Sequence, residues 1–374
     1  MKRLATRLAH SACTVDPATG AVVAPIHLAT TFERATDGSY PLGFSYSRSG
    51  NPTRHLFEKT LADLEGGAAC AAFGSGMAAS ATVLQALQPG DHVILPDDVY
   101  HGVRHSAYTI FEDWGLTFSS VDLTNPGNLD QYLLPNTRLV WIETPSNPLL
   151  RVTDVQAISE RAHAAGARVA VDATWNTPLL MRPFEWGADL VIHSVTKYLA
   201  GHSDVLGGAV VTKTEDDFFE RIRAIHETNG AVMDPFGAWL ALRGMRSLHA
   251  RMRLHCENAG QIAAFLDAHA GIDIVHYPGL ASHPGHAIAS QQMDAFGGMI
   301  SFEVPGGREA AMQFTNRLRL IRRATSLGGT ESLIEHRASI EPQPTATPEG
   351  LLRLSVGLEH PQDLLADLDQ ALTA

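Results

Sequence analysis

The sequence predicts an α/β protein with a mostly parallel β-sheet and a second, smaller domain towards the C-terminus. Apolar, β-branched segments at 92–96, 138–143, 168–174 and 190–192 predict buried strands. Segments of helical periodicity lie between them, and this alternation is typical of a parallel sheet. The chain has 374 residues, which is long for one domain and comfortable for two.

Composition and charge exclude several classes of protein. With 45% hydrophobic and 18% charged residues, the chain has the composition of a globular protein. A net charge of −12 without a basic patch makes nucleic acid and anionic membranes poor partners. No apolar run approaches the ~18 residues of a membrane span. The scattered Cys13, Cys70 and Cys256 predict neither a disulfide framework nor a metal site, so we expect a reducing cytoplasm.

The first 50 residues are rich in turn-forming sequence, and a helix follows them. Asn51-Pro52-Thr53 predicts its start, and Gly66-Gly67 predicts its end. Tyr46 and Arg48 lie in the loop before this helix. An arginine two residues from a tyrosine could clamp a phosphate, although a solvated surface pair is the more frequent outcome.

A glycine-rich turn joins a small-residue strand to a helix at Gly74-Ser75-Gly76-Met77. Backbone N–H groups at such a helix start form an anion site. The same stretch reads G-x-G-x-x-A, and Asp97-Asp98 follow the next strand. A nicotinamide dinucleotide site is therefore the main alternative.

Polar residues end three of the predicted strands. Ser194, Thr196 and Lys197 follow the strand at 190–192, Asp172 ends another, and Glu143 ends a third. Ligands of open α/β sheets bind at the carboxyl ends of strands. Partial desolvation would lower the pKa of Lys197 and leave a neutral amine able to form a Schiff base, whereas a solvent-directed lysine is the alternative. The carboxylate of Asp172 either pairs with a cation or caps the next helix.

The C-terminal half has a different pattern. Residues 218–230 and 233–269 are helical, with expected breaks near Asp234-Pro235 and at Gly244. Residues 297–306 and 351–359 predict strands, with a glycine-rich, polar stretch at 324–339 between them, and a last helix ends the chain. This pattern predicts the second domain.

Together these features match the requirements of pyridoxal phosphate. A lysine binds its aldehyde, a carboxylate keeps its pyridine nitrogen protonated, and an aromatic side chain such as Tyr100 stacks on its ring. The nicotinamide alternative explains the glycines but gives no role to Lys197, Asp172, Ser194 and Thr196.

The sequence resembles the Cys/Met-metabolism family of pyridoxal-phosphate enzymes, which contains cystathionine γ-synthase, cystathionine β- and γ-lyases and methionine γ-lyase. The resemblance covers nearly the whole chain and is carried by the motifs YSRSGNPTR, LEGG, GSGMAA, ETPSNP, VDAT, HSVTKYLAGHSD, SLGGTESL and RLSVGLE.

The resemblance implies the pyridoxal-phosphate transferase fold of the aspartate aminotransferase type. In that fold an N-terminal arm (1–50) contributes to the neighbouring subunit. A large cofactor domain (51–235) carries a mostly parallel seven-stranded sheet, and a smaller α+β domain (236–374) follows it. A homotetramer of two catalytic dimers is also implied.

The resemblance implies a role for each matching residue. Lys197 is the Schiff-base lysine and proton carrier, Asp172 is the partner of the pyridine nitrogen, and Tyr100 is the stacking aromatic. The remaining implied cofactor ligands are Gly76, Met77, Ser194, Thr196 and Thr174, with Tyr46 and Arg48 serving the phosphate of the neighbouring subunit. The implied ligands of the substrate α-carboxylate are Arg353, Asn147 and Ser326.

Departures from the family pattern bear on the reaction. Ser45 and Thr325 stand where the synthases and γ-lyases usually carry acids that suit a distal or incoming amine. The family's HPASMTH segment reads HRASIEP here, with Arg337 and Glu341 as replacements. Trp175 follows the VDAT motif, as in bacterial cystathionine β-lyases.

These departures predict a C–S lyase that acts on cystathionine or a related sulfur amino acid. Its β- or γ-elimination gives a thiol, ammonia and a 2-oxo acid. The first alternative is γ-replacement on an O-acylhomoserine, as in cystathionine γ-synthase. A non-catalytic pyridoxal-phosphate-fold binding protein is the second.

Overall fold

The computed structural model describes residues 2–11, 13, 15–341 and 347–373. The α-helices of this part of the chain are α1 (Leu4–Ala9), α2 (Pro52–Glu65), α3 (Gly76–Gln85), α4 (His101–Ser106), α5 (Val155–Ala164), α6 (Thr177–Leu180), α7 (Asp217–Asn229), α8 (Pro235–Arg246), α9 (Leu248–Ala268), α10 (His286–Gln292), α11 (Gly307–Arg317) and α12 (Pro361–Thr373). Its strands are β1 (Ala69–Phe73), β2 (His92–Pro96), β3 (Thr117–Val121), β4 (Thr137–Glu143), β5 (Arg168–Asp172), β6 (Leu190–Ser194), β7 (Gly208–Thr212), β8 (Ile274–His276), β9 (Met299–Glu303), β10 (Arg322–Arg323), β11 (Leu333–His336) and β12 (Leu351–Ser355).

The larger sheet has seven strands in the order β1-β7-β6-β5-β4-β2-β3. The pairs from β6 across to β3 are parallel, and β7 runs antiparallel to both β1 and β6. This arrangement confirms the predicted mostly parallel sheet. The carboxyl ends of β4, β5 and β6 therefore meet at one edge of the sheet.

The sheet is buried on both faces, because successive side chains of β4 pack into different hydrophobic clusters. Val140 and Ile142 pack into the larger hydrophobic cluster, whereas Leu139 and Trp141 pack into the smaller one on the other face. All four side chains are fully buried. A continuous apolar run is what such a two-sided strand requires, because successive side chains point to opposite faces.

Helix α2 begins and ends at the residues that the sequence indicates. The side chain of Asn51 accepts hydrogen bonds from the backbone N–H groups of Thr53 and Arg54, at 2.9 and 3.3 Å. Pro52 occupies the first turn, where its missing N–H costs nothing. Gly66 ends the helix with φ of +80°, a conformation that favours glycine.

The break expected at Gly244 is wrong, whereas the one near Asp234-Pro235 coincides with the start of α8. Helix α8 continues to Arg246, and α9 follows after Ser247. Gly244 is required by packing and not by a helix break, because a Cβ there would lie 2.2 Å from the backbone oxygen of Ala200. The glycine permits this helix to pack closely against the chain that follows β6.

The second sheet has five strands in the order β10-β11-β12-β9-β8. The stretch at 324–339, described above only as glycine-rich and polar, contains β11. This strand pairs antiparallel with β12, and Glu335 lies opposite Arg353 in that register. The predicted smaller α+β domain is thus confirmed in its architecture, while the bounds 51–235 and 236–374 stay predictions. None of the helices in the described part of the chain combines the length and apolar character of a membrane span.

Candidate active site

A cavity of about 460 Å³ opens where the carboxyl ends of β4, β5 and β6 face the second sheet. The predicted site residues that line it are Gly76, Met77, Tyr100, Asn147, Asp172, Thr174, Ser194, Thr196, Lys197, Thr325 and Arg353. They come from separate segments of both domains. The structure therefore brings most of the predicted residues together around one space.

Lys197 is the amine of this cavity. The Nζ atom donates a hydrogen bond to the Oγ of Ser326 at 2.8 Å. Burial, followed by the positive charge of Arg353, lowers the pKa of Lys197 to about 8. An amine with this pKa is about one-tenth neutral at pH 7, far more than an exposed lysine, and the neutral fraction is nucleophilic.

Two carboxyl groups lie at the ends of neighbouring strands. Asp172 of β5 stands opposite Glu143 of β4 in the register of the sheet, and both line the cavity. Burial raises the pKa of both groups. The Oδ1 of Asp172 accepts a hydrogen bond from the backbone N–H of Thr174 at 3.0 Å. Among the described residues, no cationic side chain forms a salt bridge with Asp172.

The start of α3 forms a cradle beside β6. The Ser75 side chain accepts from the N–H of Ala78 at 3.0 Å, and the N–H groups of Gly76 and Met77 lie in the first turn, where a helix supplies no partner. A Cβ on Gly76 would stand 2.9 Å from the Oγ of Ser194. Glycine therefore allows α3 to start this close to Ser194, and the N–H groups of its first turn can bind an anion.

Hydroxyl groups complete this corner of the cavity and fix its backbone. The Oγ1 of Thr174 accepts from the N–H of Ser194 at 2.8 Å. The hydroxyl of Thr196 donates to the carbonyl of Gly207 at 3.2 Å and accepts from its N–H at 3.0 Å. Thr174 and Thr196 therefore tie β6 to the segments beside it.

Tyr100 lies at the N-terminal end of α4 and is held by its backbone. Its N–H donates to the Oε2 of Glu143 at 2.7 Å. Its ring lies 4.5 Å, centroid to centroid, from the ring of His101, which also lines the cavity. The rings of Tyr100 and His101 therefore form an aromatic part of the cavity wall, and the Tyr100 backbone is tied to Glu143, one of the paired carboxyl groups.

Arg353 reaches the cavity from β12 and is fixed by three acceptors. Its Nη1 donates to the Oδ1 of Asn147 at 2.9 Å, and its Nη2 contacts the carbonyl of Ser326 at 3.2 Å and the Oε2 of Glu335 at 3.0 Å. The side chain is 4% exposed. A guanidinium fixed in this way suits a substrate carboxylate.

These features fit pyridoxal phosphate. The neutral amine of Lys197 suits an aldehyde, and the carboxyl of Asp172, without a cationic partner among the described residues, suits a protonated pyridine nitrogen. The cradle at Gly76 suits a phosphate.

Three predicted residues lie outside the cavity of their own chain. They are Ser45, Tyr46 and Arg48. The Tyr46 side chain is 46% exposed, and the Arg48 guanidinium lies 5.6 Å from the centre of its ring. Arg48 also donates to the carbonyl of Glu227 at 2.9 Å. Ser326 does not line the cavity either, but it contacts both Lys197 and Arg353.

Sequence reasoning missed several residues of the cavity wall. It noted Glu143 only as a strand-end carboxylate and Arg337 only as a departure from the family motif, and it assigned no role to His101 or Glu335, although all four line the cavity. A signal for Glu335 was present, because an arginine in an otherwise apolar strand such as β12 needs a counter-charge on a neighbouring strand. The described residues contain no cluster of three His, Cys, Asp or Glu side chains that could hold a metal ion.

Comparisons with known proteins agree with this geometry. The family model described as Cys/Met metabolism PLP-dependent enzyme matches residues 5–373. A cystathionine gamma-synthase of Mycobacterium tuberculosis is 46% identical over 98% of this chain and 96% of that protein. A cystathionine beta-lyase of Coxiella burnetii is 44% identical over 98% and 97%. The crystal structure of cystathionine gamma synthase from Xanthomonas oryzae pv. oryzae, in complex with aminoacrylate and cysteine, superposes with a TM-score of 0.96 at 43% identity, covering 100% of this chain and 98% of that one.

Proposed function

The chain belongs to the Cys/Met-metabolism family of PLP-dependent enzymes, and we propose that it is a C–S lyase of cystathionine or a related thioether amino acid. The elimination releases a thiol, ammonia and a 2-oxo acid. The observation that carries this proposal is Thr325 in the cavity wall. A replacement reaction needs a site for an incoming amine, and a hydroxyl holds an ammonium group less well than a carboxylate does.

The predicted cofactor ligands in the cavity each have a separate part in binding it. Lys197 would bind its aldehyde, Asp172 its pyridine nitrogen and Tyr100 the face of its ring. The first turn of α3, Ser194 and Thr196 would hold its phosphate, with Thr174 near the ring. When bound, pyridoxal phosphate supplies an electron sink for the negative charge that develops at the substrate Cα.

The residues of the chain supply orientation and proton transfer. Arg353, with Asn147 and Ser326, binds the α-carboxylate and so fixes Cα near Lys197. When the amine of the substrate takes its place on the cofactor, the freed amine of Lys197 would take the Cα proton, and its pKa of about 8 suits a base near neutral pH. The thiolate then leaves from Cβ, or from Cγ once a Cβ proton has also been removed. Water hydrolyses the unsaturated amino acid that is left to ammonia and a 2-oxo acid.

A second candidate function is γ-replacement on an O-acylhomoserine. It is supported by the mycobacterial relative and the Xanthomonas structure, both named as cystathionine gamma-synthases. The beta-lyase of Coxiella is almost equally similar and supports the elimination. Membership of an enzyme family disfavours the non-catalytic alternative.

Product identification separates the two reactions. The purified holoenzyme is incubated with cystathionine, other thioether amino acids, and O-acylhomoserines with and without cysteine. We expect 2-oxo acid and free thiol from the thioethers, and little cystathionine from the acylhomoserine mixtures. Efficient cystathionine synthesis, with negligible 2-oxo acid from any thioether, would contradict the lyase proposal.

The proposal extends to assembly and location. A homotetramer of two catalytic dimers, in which residues 1–50 serve a neighbouring site, is supported by the position of Tyr46 and Arg48 outside the cavity of their own chain. The domain bounds 51–235 and 236–374 belong to the same proposal. The three free cysteines support a reducing cytoplasm.

A further inference from the structure

Arg337 is a buried cation in the cavity wall for which the reaction described above has no use. It follows β11 in a short 3-10 turn, lines the cavity and is 2% exposed. Its Nη1 contacts the Oε2 of Glu335 at 2.7 Å, and its Nη2 contacts the Oε1 of Glu341 at 3.0 Å. Two carboxylates therefore fix the orientation of this guanidinium.

Some of the N–H donors of the Arg337 guanidinium are not used by these two contacts. An arginine has five N–H donors, and the two contacts to carboxylates use only part of that set. The Nε atom has no hydrogen-bond partner among the described residues. That Nε atom is shielded from solvent, so the donors available to a ligand in the cavity are the second N–H groups of Nη1 and Nη2.

A second unsatisfied nitrogen belongs to His101 in the same wall. Its Nδ1 is buried and lacks a partner within the described part of the chain. Burial, followed by the positive charge of Arg337, lowers the pKa of His101 and favours its neutral form. A neutral imidazole beside Arg337 adds no charge to this part of the wall.

Arg337 and Arg353 are adjacent but have separate partners. Both contact the Oε2 of Glu335, at 2.7 and 3.0 Å respectively. Arg353 has Asn147 and the carbonyl of Ser326 as further partners, whereas Arg337 has Glu341. One guanidinium can therefore bind the α-carboxylate while the other contacts a different part of the substrate.

We propose that Arg337 binds a second carboxylate, carried on the thiol that leaves, and so selects thioethers whose leaving arm ends in a carboxylate. This inference rests on the proposed reaction with thioether amino acids. The charges of Glu335 and Glu341 balance those of Arg337 and Arg353, so the selectivity comes from direct contact and not from long-range attraction.

The test uses substrates that differ only at the end of the leaving arm. S-(3-carboxypropyl)-L-cysteine is paired with S-butyl-L-cysteine, and S-(2-carboxyethyl)-L-homocysteine with S-propyl-L-homocysteine. Dissociation constants are measured by titrating the holoenzyme and following the visible absorption of its cofactor, and kcat/KM is measured separately.

We expect the wild type to bind the acid arms about tenfold to a hundredfold more tightly than the alkyl arms, the range for a hydrogen bond to a charged group. Arg337→Gln should abolish this preference, so that acid and alkyl arms bind with about equal affinity.

Two further variants act as controls. Arg337→Lys keeps the charge but not the planar fork, so it should retain part of the preference. Arg308→Gln should retain all of it, because Arg308 contacts Glu349 at 2.9 Å and the carbonyl of Ala338 at 3.5 Å without lining the cavity.

Two results would overturn the inference. One is a wild-type enzyme that binds both kinds of arm equally well. The other is an equal loss for both arms in Arg337→Gln, which would assign Arg337 to the shared α-carboxylate or to the structure of the wall. Failure of the lyase proposal is distinguishable, because it appears as an absence of 2-oxo acid while the absorption titration still reports which arms bind.

Discussion

Glu143 and Asp172 face each other across the register of β4 and β5, so two carboxyl groups line the same cavity side by side. Adjacent carboxyl groups disfavour simultaneous ionisation. Burial, followed by the charge of Asp172, raises the pKa of Glu143 well above its usual range. Burial also raises the pKa of Asp172, but the hydrogen bonds from Thr174 oppose that shift. We therefore expect Glu143 to be the protonated member of the pair.

Glu143→Gln tests this assignment, because glutamine resembles a protonated glutamate. The amide oxygen can still accept from the N–H of Tyr100, so we expect kcat/KM to remain close to the wild-type value. Glu143→Ala removes the acceptor and leaves the N–H of Tyr100 unpaired. That loss costs about 1–3 kcal/mol, or roughly fivefold to 150-fold in kcat/KM if it falls on the transition state. Equal damage in both variants would show that the negative charge of Glu143 is needed.

The lowered pKa of Lys197 predicts how the apoenzyme takes up its cofactor. Below pH 8 the amine is mostly protonated and cannot attack an aldehyde, and above it the amine is mostly neutral. The rate constant for pyridoxal-phosphate uptake should therefore rise with pH and level off above about 8, as followed by the visible absorption. Lys197→Ala apoenzyme is the control and should show no such phase. A midpoint near 10.5, the ordinary lysine value, would contradict the burial of this amine.

The parts of the fold that sequence alone predicted are those with local signals. β4, β5 and β6 are continuous apolar runs, and α2 has its cap and stop residues within its own segment. β3 was missed because it is an edge strand, with Ser119 and Ser120 in place of apolar residues and only Val121 fully buried. An edge strand needs no two-sided apolar pattern.

The same reasoning applies to the site. Lys197 and Asp172 stand at strand ends, where position along the chain already indicates chemistry. Glu335 and Arg337 could not be assigned in this way, since their roles depend on Arg353, which is distant in sequence and adjacent only through the pairing of β11 with β12. Lys197 and Asp172 have a signal in their own segment of the sequence, whereas the roles of Glu335 and Arg337 depend on the long-range pairing of two strands.

The position of Arg48 predicts complementation between inactive subunits. If Tyr46 and Arg48 complete a neighbour's site, each active site takes Lys197 from one chain and Arg48 from another. Lys197→Ala subunits and Arg48→Ala subunits should each be nearly inactive, and a mixture that exchanges subunits should regain activity through hybrid dimers with one intact site. A mixture of Lys197→Ala with Asp172→Ala is the matched control and should not recover, because both defects then lie in the same half of the site. Absence of recovery in the first mixture, with subunit exchange demonstrated, would place the role of Arg48 within its own chain.

The last prediction concerns the choice between elimination and replacement, and it depends on Thr325. A replacement reaction must hold the amine of an incoming amino acid, and a hydrogen bond between an amine and a carboxylate is worth roughly 1.5–3 kcal/mol, or about tenfold to a hundredfold in affinity. Thr325 lines the cavity but cannot supply that charge. Thr325→Glu should therefore raise the yield of cystathionine from cysteine and an O-acylhomoserine relative to 2-oxo acid, with both products quantified in one reaction. Thr325→Gln has nearly the same size without the charge, so it should leave the ratio close to that of the wild type. If both variants shift the ratio equally, the volume of the side chain and not its charge controls the reaction, and the argument from the missing acid fails.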